Sequence, residues 1–222
     1  MEFTLNIHGL EFVVEDSADS NSVGWIEYEL IRDFYRVRRM EMKKNDIVVD
    51  IGAHVGVFSI YMAKLFPDIR IIAIEPDAIN YQYLIKNIAR NKAINIEPIN
   101  LGVSDHEATI FLHRPLHNSG GTSIYRPALI KSVKSAVPAL TLNTIFEKLT
   151  IQQCKLVKVD CEGSEYHLFN GFKYFDRIDY IAGEIHDGQY IPCFGELSTA
   201  FEKLMKQNFT REKMSFSHGY LS

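Results

Sequence analysis

The chain has 222 residues, 46% hydrophobic and 23% charged, with a formal net charge of −4. That length and composition support one α/β domain with a full core and exclude a disordered or low-complexity chain. The slightly acidic balance excludes a broad electrostatic attraction to nucleic acid.

In chain order, residues 3–14 alternate weakly about His8-Gly9 and predict a β-hairpin. The start, Met1 to Asn6, has neither a basic region nor a long apolar run, so no signal peptide is expected. Residues 25–42 have helical spacing, with Trp25, Tyr28, Ile31 and Tyr35 as the apolar stripe. Arg32, Arg36, Arg39 and Lys43 recur on another face. Glu27, Glu29, Asp33 and Glu41 dilute their field, which favours a solvated face over a phosphate site. Residues 1–46 are expected to form a hairpin and helix packed on a core of residues 47–222, one domain overall.

From residue 47 strands and helices alternate. Strands are predicted at 47–50, 70–75, 94–100, 155–160 and 180–185, and helices at 57–66, 78–91, 142–149, 163–169 and 197–208. Residues 108–113 read as an extra strand, 114–137 as irregular, and the last residues as a closing hairpin. This alternation predicts a doubly wound, mainly parallel α/β sheet with ligands at the carboxyl ends of its strands. The most apolar window, 47–66, is interrupted by Asp50, His54 and two glycines and is no membrane span. Three cysteines, Cys154, Cys161 and Cys193, are too few and too irregular for a disulfide framework or a zinc site. Reduced, mostly buried thiols in a cytoplasmic protein are expected.

The most informative stretch is Val48-Val49-Asp50-Ile51-Gly52-Ala53-His54-Val55-Gly56, which reads as a buried strand, a glycine turn and a helix start. Gly52 and Gly56 mark a sharp turn or a close approach of backbone. A second strand, Ile71 to Ile74, ends on Glu75, whose carboxylate can accept two hydrogen bonds from a ribose diol. The spacing is not the Gly-x-Gly-x-x-Gly of a pyrophosphate site. At ~5 Å and an effective dielectric of ~20, Asp50 beside a pyrophosphate would cost about 3 kcal/mol per like-charge pair. An acid in that turn suits a cationic cofactor, and S-adenosylmethionine carries an ammonium and a sulfonium but no phosphate.

An ordered series of motifs then resembles the FkbM family of S-adenosylmethionine-dependent methyltransferases. It runs from Asp50–Gly56 and Glu75-Pro76 through Leu101–Asp105, the loop 120–123 and Leu140–Ile145 to Lys158-Val159-Asp160-Cys161-Glu162-Gly163-Ser164-Glu165, and closes on Gly183–His186. The series covers roughly residues 25–210. It departs at Asn143, where the family has Asp, and at His54, where Asn is common. The resemblance implies a Rossmann-like class I methyltransferase fold and O-methylation of a sugar or natural-product hydroxyl. The acceptor is therefore expected to be a small molecule or glycan, with no nucleic-acid or membrane partner; self-association is left open. Two rival readings are an RNA acceptor, which the net charge disfavours, and a non-enzymatic cofactor-binding scaffold. Asp50, Gly52, His54, Gly56, Glu75 and Pro76 are expected to hold the cofactor, with Asn100, Val103 and Ser104 along the adenine.

Lys158, Asp160 and Glu162 end the fourth core strand, and Glu184 and His186 the next, so ionisable groups converge on one rim. Lys158, Asp160, Glu162 and His186 are the candidate catalytic residues. Asp160 and His186 are the candidate bases for the acceptor hydroxyl. Lys158 is expected to pair with Glu162 or Glu165, or to lower the hydroxyl pKa. Asp160, Glu162, Glu184 and His186 could also hold a divalent metal, but no helical His-x-x-x-His spacing supports it, and no metal is expected. The loop Gly120-Gly121-Thr122-Ser123 is the candidate for substrate contact.

Overall fold

The computed structural model describes every residue except 19, 126–130, 188–190 and 221–222, with the side chains of 187 and 218–220 also left out. Strands β1 (Glu2–Ile7) and β2 (Leu10–Glu15) pair antiparallel about His8 and Gly9, both in the left-handed region. Helix α1 (Ser22–Ile31) follows. It ends well before the expected residue 42, because Asp33 and Arg36 turn the chain at φ +53° and +56°. Arg32, Arg36, Arg39 and Lys43 therefore share no helical face; Arg36 instead reaches the carbonyls of Arg211 and Met214.

The core then alternates β3 (Ile47–Ile51), α2 (Val57–Leu65), β4 (Arg70–Ile74), α3 (Ala78–Arg90) and β5 (Ile96–Ile99). Three strands form a side sheet: β6 (Gly102–Ser104), β7 (Ala108–Pro115) and β8 (Ser132–Thr141). The chain returns through α4 (Leu142–Lys148), β9 (Cys154–Val159), α5 (Glu165–Leu168), β10 (Ile178–Asp187), α6 (Phe194–Asn208) and β11 (Met214–Tyr220).

The main sheet has the order β11-β10-β9-β3-β4-β5, and every pairing in it is parallel. This is the doubly wound Rossmann order, with its switch point between β3 and β9. Two sequence expectations are corrected. Part of the stretch expected to be irregular is the ten-residue strand β8, and the chain ends on a parallel strand, β11, rather than a hairpin.

Local chemistry accounts for the elements. Val48, Val49 and Ile51 are buried on both faces of β3, as a central parallel strand requires. Asp77 caps α3, its Oδ1 accepting from the backbone N–H of Ile79 and Asn80 at 3.0 Å. One sheet face packs the hairpin and α1–α3; the other packs α4–α6. No helix among the described residues is long and apolar enough to cross a membrane.

Candidate active site

A cavity of about 950 Å³ opens at the switch point, above the carboxyl ends of β3, β4, β9 and β10. It is near the upper end of the range for ligand pockets, with room for two small molecules. Its floor is the turn after β3. Gly52, His54 and Gly56 there have φ of +80°, +52° and +93°. A Cβ on Gly52 would lie 1.8 Å from the carbonyl oxygen of Asp160, and one on Gly183 would lie 1.9 Å from that of Val159. The end of β9 is thus flanked by bare backbone on both sides. Gly56 does not line the cavity; a Cβ there would meet Leu84 at 2.6 Å, so this glycine serves helix packing.

Glu75, on the rim with Pro76, braces that turn. Its Oε2 accepts from the His54 N–H at 2.8 Å and its Oε1 from the Asp77 N–H at 2.9 Å. With the Asn80 side chain as a third donor, one lone pair remains for a ligand. Burial pushes the Glu75 carboxyl up to about 7.

The His54 ring is clamped from behind: Nε2 lies 2.7 Å from Ser119 Oγ, whose hydroxyl lies 2.9 Å from both oxygens of buried Asp16. With the serine proton directed to Asp16, His54 Nε2 is the donor and Nδ1 carries the lone pair. That Nδ1 is buried and, among the described residues, without a hydrogen-bond partner, and burial lowers the ring's pKa.

Asp50 departs from expectation. It is fully buried below the cavity rather than on its wall. Its Oδ2 accepts from Ser59 at 2.7 Å, and its Oδ1 faces Lys158 Nζ at 3.2 Å. The cation this carboxylate meets is the chain's own lysine. Lys158 donates to the Gly52 carbonyl at 3.0 Å and reaches Asp160 at 3.4 Å, so it pairs with neither Glu162 nor Glu165. Burial opposes its charge, but Asp50 and Asp160 outweigh that and raise its pKa. Lys158 is therefore a strut beneath the site, out of contact with the cavity.

Asp160, Glu162, Glu184 and His186 all line the cavity. His186 Nδ1 lies 3.1 Å from Glu165 Oε1, and Nε2 faces Glu162 at 3.5 Å and Glu184 at 3.8 Å. Burial works against the ring's charge, yet Glu162 and Glu165 hold its pKa well above the ordinary value. Carboxylates thus stand beside both nitrogens of the His186 ring. Burial, reinforced by Asp160, pushes Glu184 up to about 8.

Residues 50–220 match the family described as Methyltransferase FkbM domain. The chain belongs to the FkbM methyltransferase family. Its cofactor is accordingly S-adenosylmethionine. Methyltransferase sdnD of Sordaria araneosa is 25% identical over 59% of this chain and 61% of its own. Methyltransferase 1 of Beauveria bassiana is 23% identical over 74% and 72%. The chain thus spans less than two thirds of the first relative's length. The structure of M. jannaschii TYW2 in complex with AdoMet is 28% identical over 44% of this chain and 42% of its own, with a TM-score of 0.32.

Several residues of this FkbM methyltransferase depart from their expected places. Val103 lines the cavity, but Asn100 and Ser104 do not. Asn100 donates to the carbonyls of Glu75 and Pro76 and fixes their turn, and Ser104 turns to Asp105 at 3.3 Å. The loop 120–123 does line the cavity, and Ser123 ties it to the Glu162 carbonyl at 2.5 Å. Of the cysteines, Cys154 is buried, Cys161 lines the cavity and Cys193 is exposed.

Glu29, read from sequence as one of several surface acids, is buried in the cavity wall and accepts from Tyr35 at 2.6 Å. Burial, then Asp160, pushes it up to about 7. A raised carboxyl stabilises the fold below its unfolded value of 4.5, and that contribution is lost as pH rises through about 7. Glu29→Gln is therefore expected to gain up to about 3 kcal/mol over the parent above neutral pH and nothing in strong acid. Urea melts across that pH range check it.

Proposed function

We propose that this chain transfers the methyl group of S-adenosylmethionine to a hydroxyl oxygen of a small-molecule or glycan acceptor, with Glu184 as the general base. The observation that carries the proposal is the convergence, in one cavity, of a cofactor-shaped half and an acidic, aromatic half. Glu75 on the cavity wall keeps an acceptor position for a ribose hydroxyl, and Ile74, Leu101 and Val103 give apolar surface for a base ring. S-adenosylmethionine, when bound there, supplies a methyl group on a positively charged sulfur.

Trp25, Tyr28 and Phe34 line the same cavity, Tyr28 meeting each of the other two edge to face. Trp25 is 64% exposed, a ready platform for the apolar face of a sugar or a fused ring. An acceptor resting on it presents a hydroxyl to Glu184 and Asp160, which line the same cavity. Of the two, Asp160 is paired with Lys158, while Glu184, with its carboxyl pushed up to about 8, becomes the base for a hydroxyl proton as pH rises through that value. RNA is the weaker acceptor, since Glu29, Asp160, Glu162 and Glu184 would all face its phosphates.

Calorimetry with S-adenosylhomocysteine tests the cofactor half; a folded sample that binds none would overturn the proposal. Turnover on a panel of sugars and natural-product alcohols tests the acceptor half. Glu184→Gln is expected to lower kcat by ~10²–10⁴-fold with S-adenosylhomocysteine affinity unchanged. Full activity in that variant would remove Glu184 from the role. Trp25→Ala is expected to raise the acceptor KM about three- to tenfold and leave cofactor affinity alone. An equal loss in both would remove Trp25 from the acceptor wall.

A further inference from the structure

We infer that Asp160, Glu162 and His186 form a site for one divalent transition-metal ion, of the Mn²⁺ class, on the acceptor side of the cavity. One ligand atom from each of the three lies within 4.8 Å of the others. An ion held at about 2.1 Å needs its ligand atoms roughly 3–4 Å apart. Small rotamer shifts close the difference.

The second observation is the orientation of His186. The residue is 3% exposed, and its Nδ1 is anchored by fully buried Glu165, whose Oε1 also accepts from the Cys161 N–H at 2.7 Å. This is the carboxylate–histidine arrangement that aims the other ring nitrogen at a metal. Nε2 does point at the open cluster, where its carboxylate neighbours stand at 3.5 and 3.8 Å, at or past the limit of a hydrogen bond.

Charge points the same way. Asp160, Glu162 and Glu184 converge on this rim with Glu29 nearby, while the lysine beneath is shared with Asp50. Two carboxylates with one imidazole favour Mn²⁺, Fe²⁺ or Zn²⁺ over the all-oxygen sites of Mg²⁺ and Ca²⁺. All three ligands line the cavity, so vacant coordination positions face the acceptor, where an ion lowers the pKa of a bound hydroxyl. The ion site rests on the methyltransferase proposal only for that last role; otherwise it stands on geometry.

The test is electron paramagnetic resonance titration of the chelator-treated full chain with Mn²⁺, beside calorimetry with S-adenosylhomocysteine on the same sample. One Mn²⁺ per chain is expected. Asp160→Asn and His186→Ala should each weaken it at least tenfold, and Glu165→Gln, a positioning change, about 10–100-fold. Should His186→Ala fail to fold, Glu162→Gln, whose side chain is 22% exposed, gives the same readout. Absence of Mn²⁺ binding at about 1 mM by a sample that binds S-adenosylhomocysteine would overturn the site and leave the methyltransferase reading standing. Mn²⁺ affinity unchanged in the ligand variants would also overturn it. One Mn²⁺ lost with those variants, in a sample that binds no S-adenosylhomocysteine, would support the site and sink the other reading.

Discussion

Lys158→Met is expected to destabilise the fold by about 3–5 kcal/mol, because it strands the Asp50 charge in the protein interior. Asp50 and Lys158 are 0% and 3% exposed, and the ammonium is bonded to the Gly52 carbonyl as well as facing Asp50 and Asp160. Methionine fills similar space without charge. The Asp50→Asn/Lys158→Met double variant should recover most of the loss, since the asparagine side chain keeps an oxygen for Ser59 and carries no charge. Urea denaturation of the two single variants and the double measures the coupling. Additive losses would mean that the pair is not the strut the geometry describes.

Gly52→Ala should be nearly as damaging, for a steric reason. The residue sits at φ +80°, which costs an L side chain about 1–2 kcal/mol, and its Cβ would collide with the Asp160 carbonyl. Backbone must move to relieve the overlap, adding about 1–3 kcal/mol. Gly171→Ala is the matched control. Its φ is +69°, but nothing lies within 4 Å of the added carbon. Only the Gly52 variant should also lose S-adenosylhomocysteine affinity, because only there does the shift reach the cavity floor. Equal stability losses at the two positions would show that backbone conformation, not the close approach to β9, governs Gly52.

The parallel core was legible because its signals are local. Val48, Val49 and Ile51 form a nearly continuous apolar run, Asp77 and Thr141 cap α3 and α4, and Pro67 follows α2. Strand β8 escaped because Ser132 to Ala136 are largely exposed, so the segment lacks the alternation that marks a half-buried strand. The aromatic spacing of α1 is real, but Trp25 and Tyr28 face the cavity mouth rather than the core. Periodicity finds an apolar face and is silent on what it faces.

The site was legible as a set of motifs but not as a set of contacts. Asp50 and Lys158 stand far apart in the chain, and only the parallel register of β3 on β9 sets them side by side. Glu29 and the Asp16–Ser119–His54 clamp had no sequence signal. Each depends on groups that tertiary packing alone brings together. The burial of Glu29 is a tertiary fact that its helix position does not encode.

The bare backbone on either side of β9 divides the cavity into a wall that cannot vary and a wall that can. Gly52 and Gly183 leave no space for any side chain, so the direction of Asp160 is closed to adjustment by substitution at its flanks. Trp25, Tyr28 and Phe34, on and just after α1, carry no such constraint. A directed-evolution library aimed at a new acceptor should therefore place its diversity on that second wall and leave the glycines untouched.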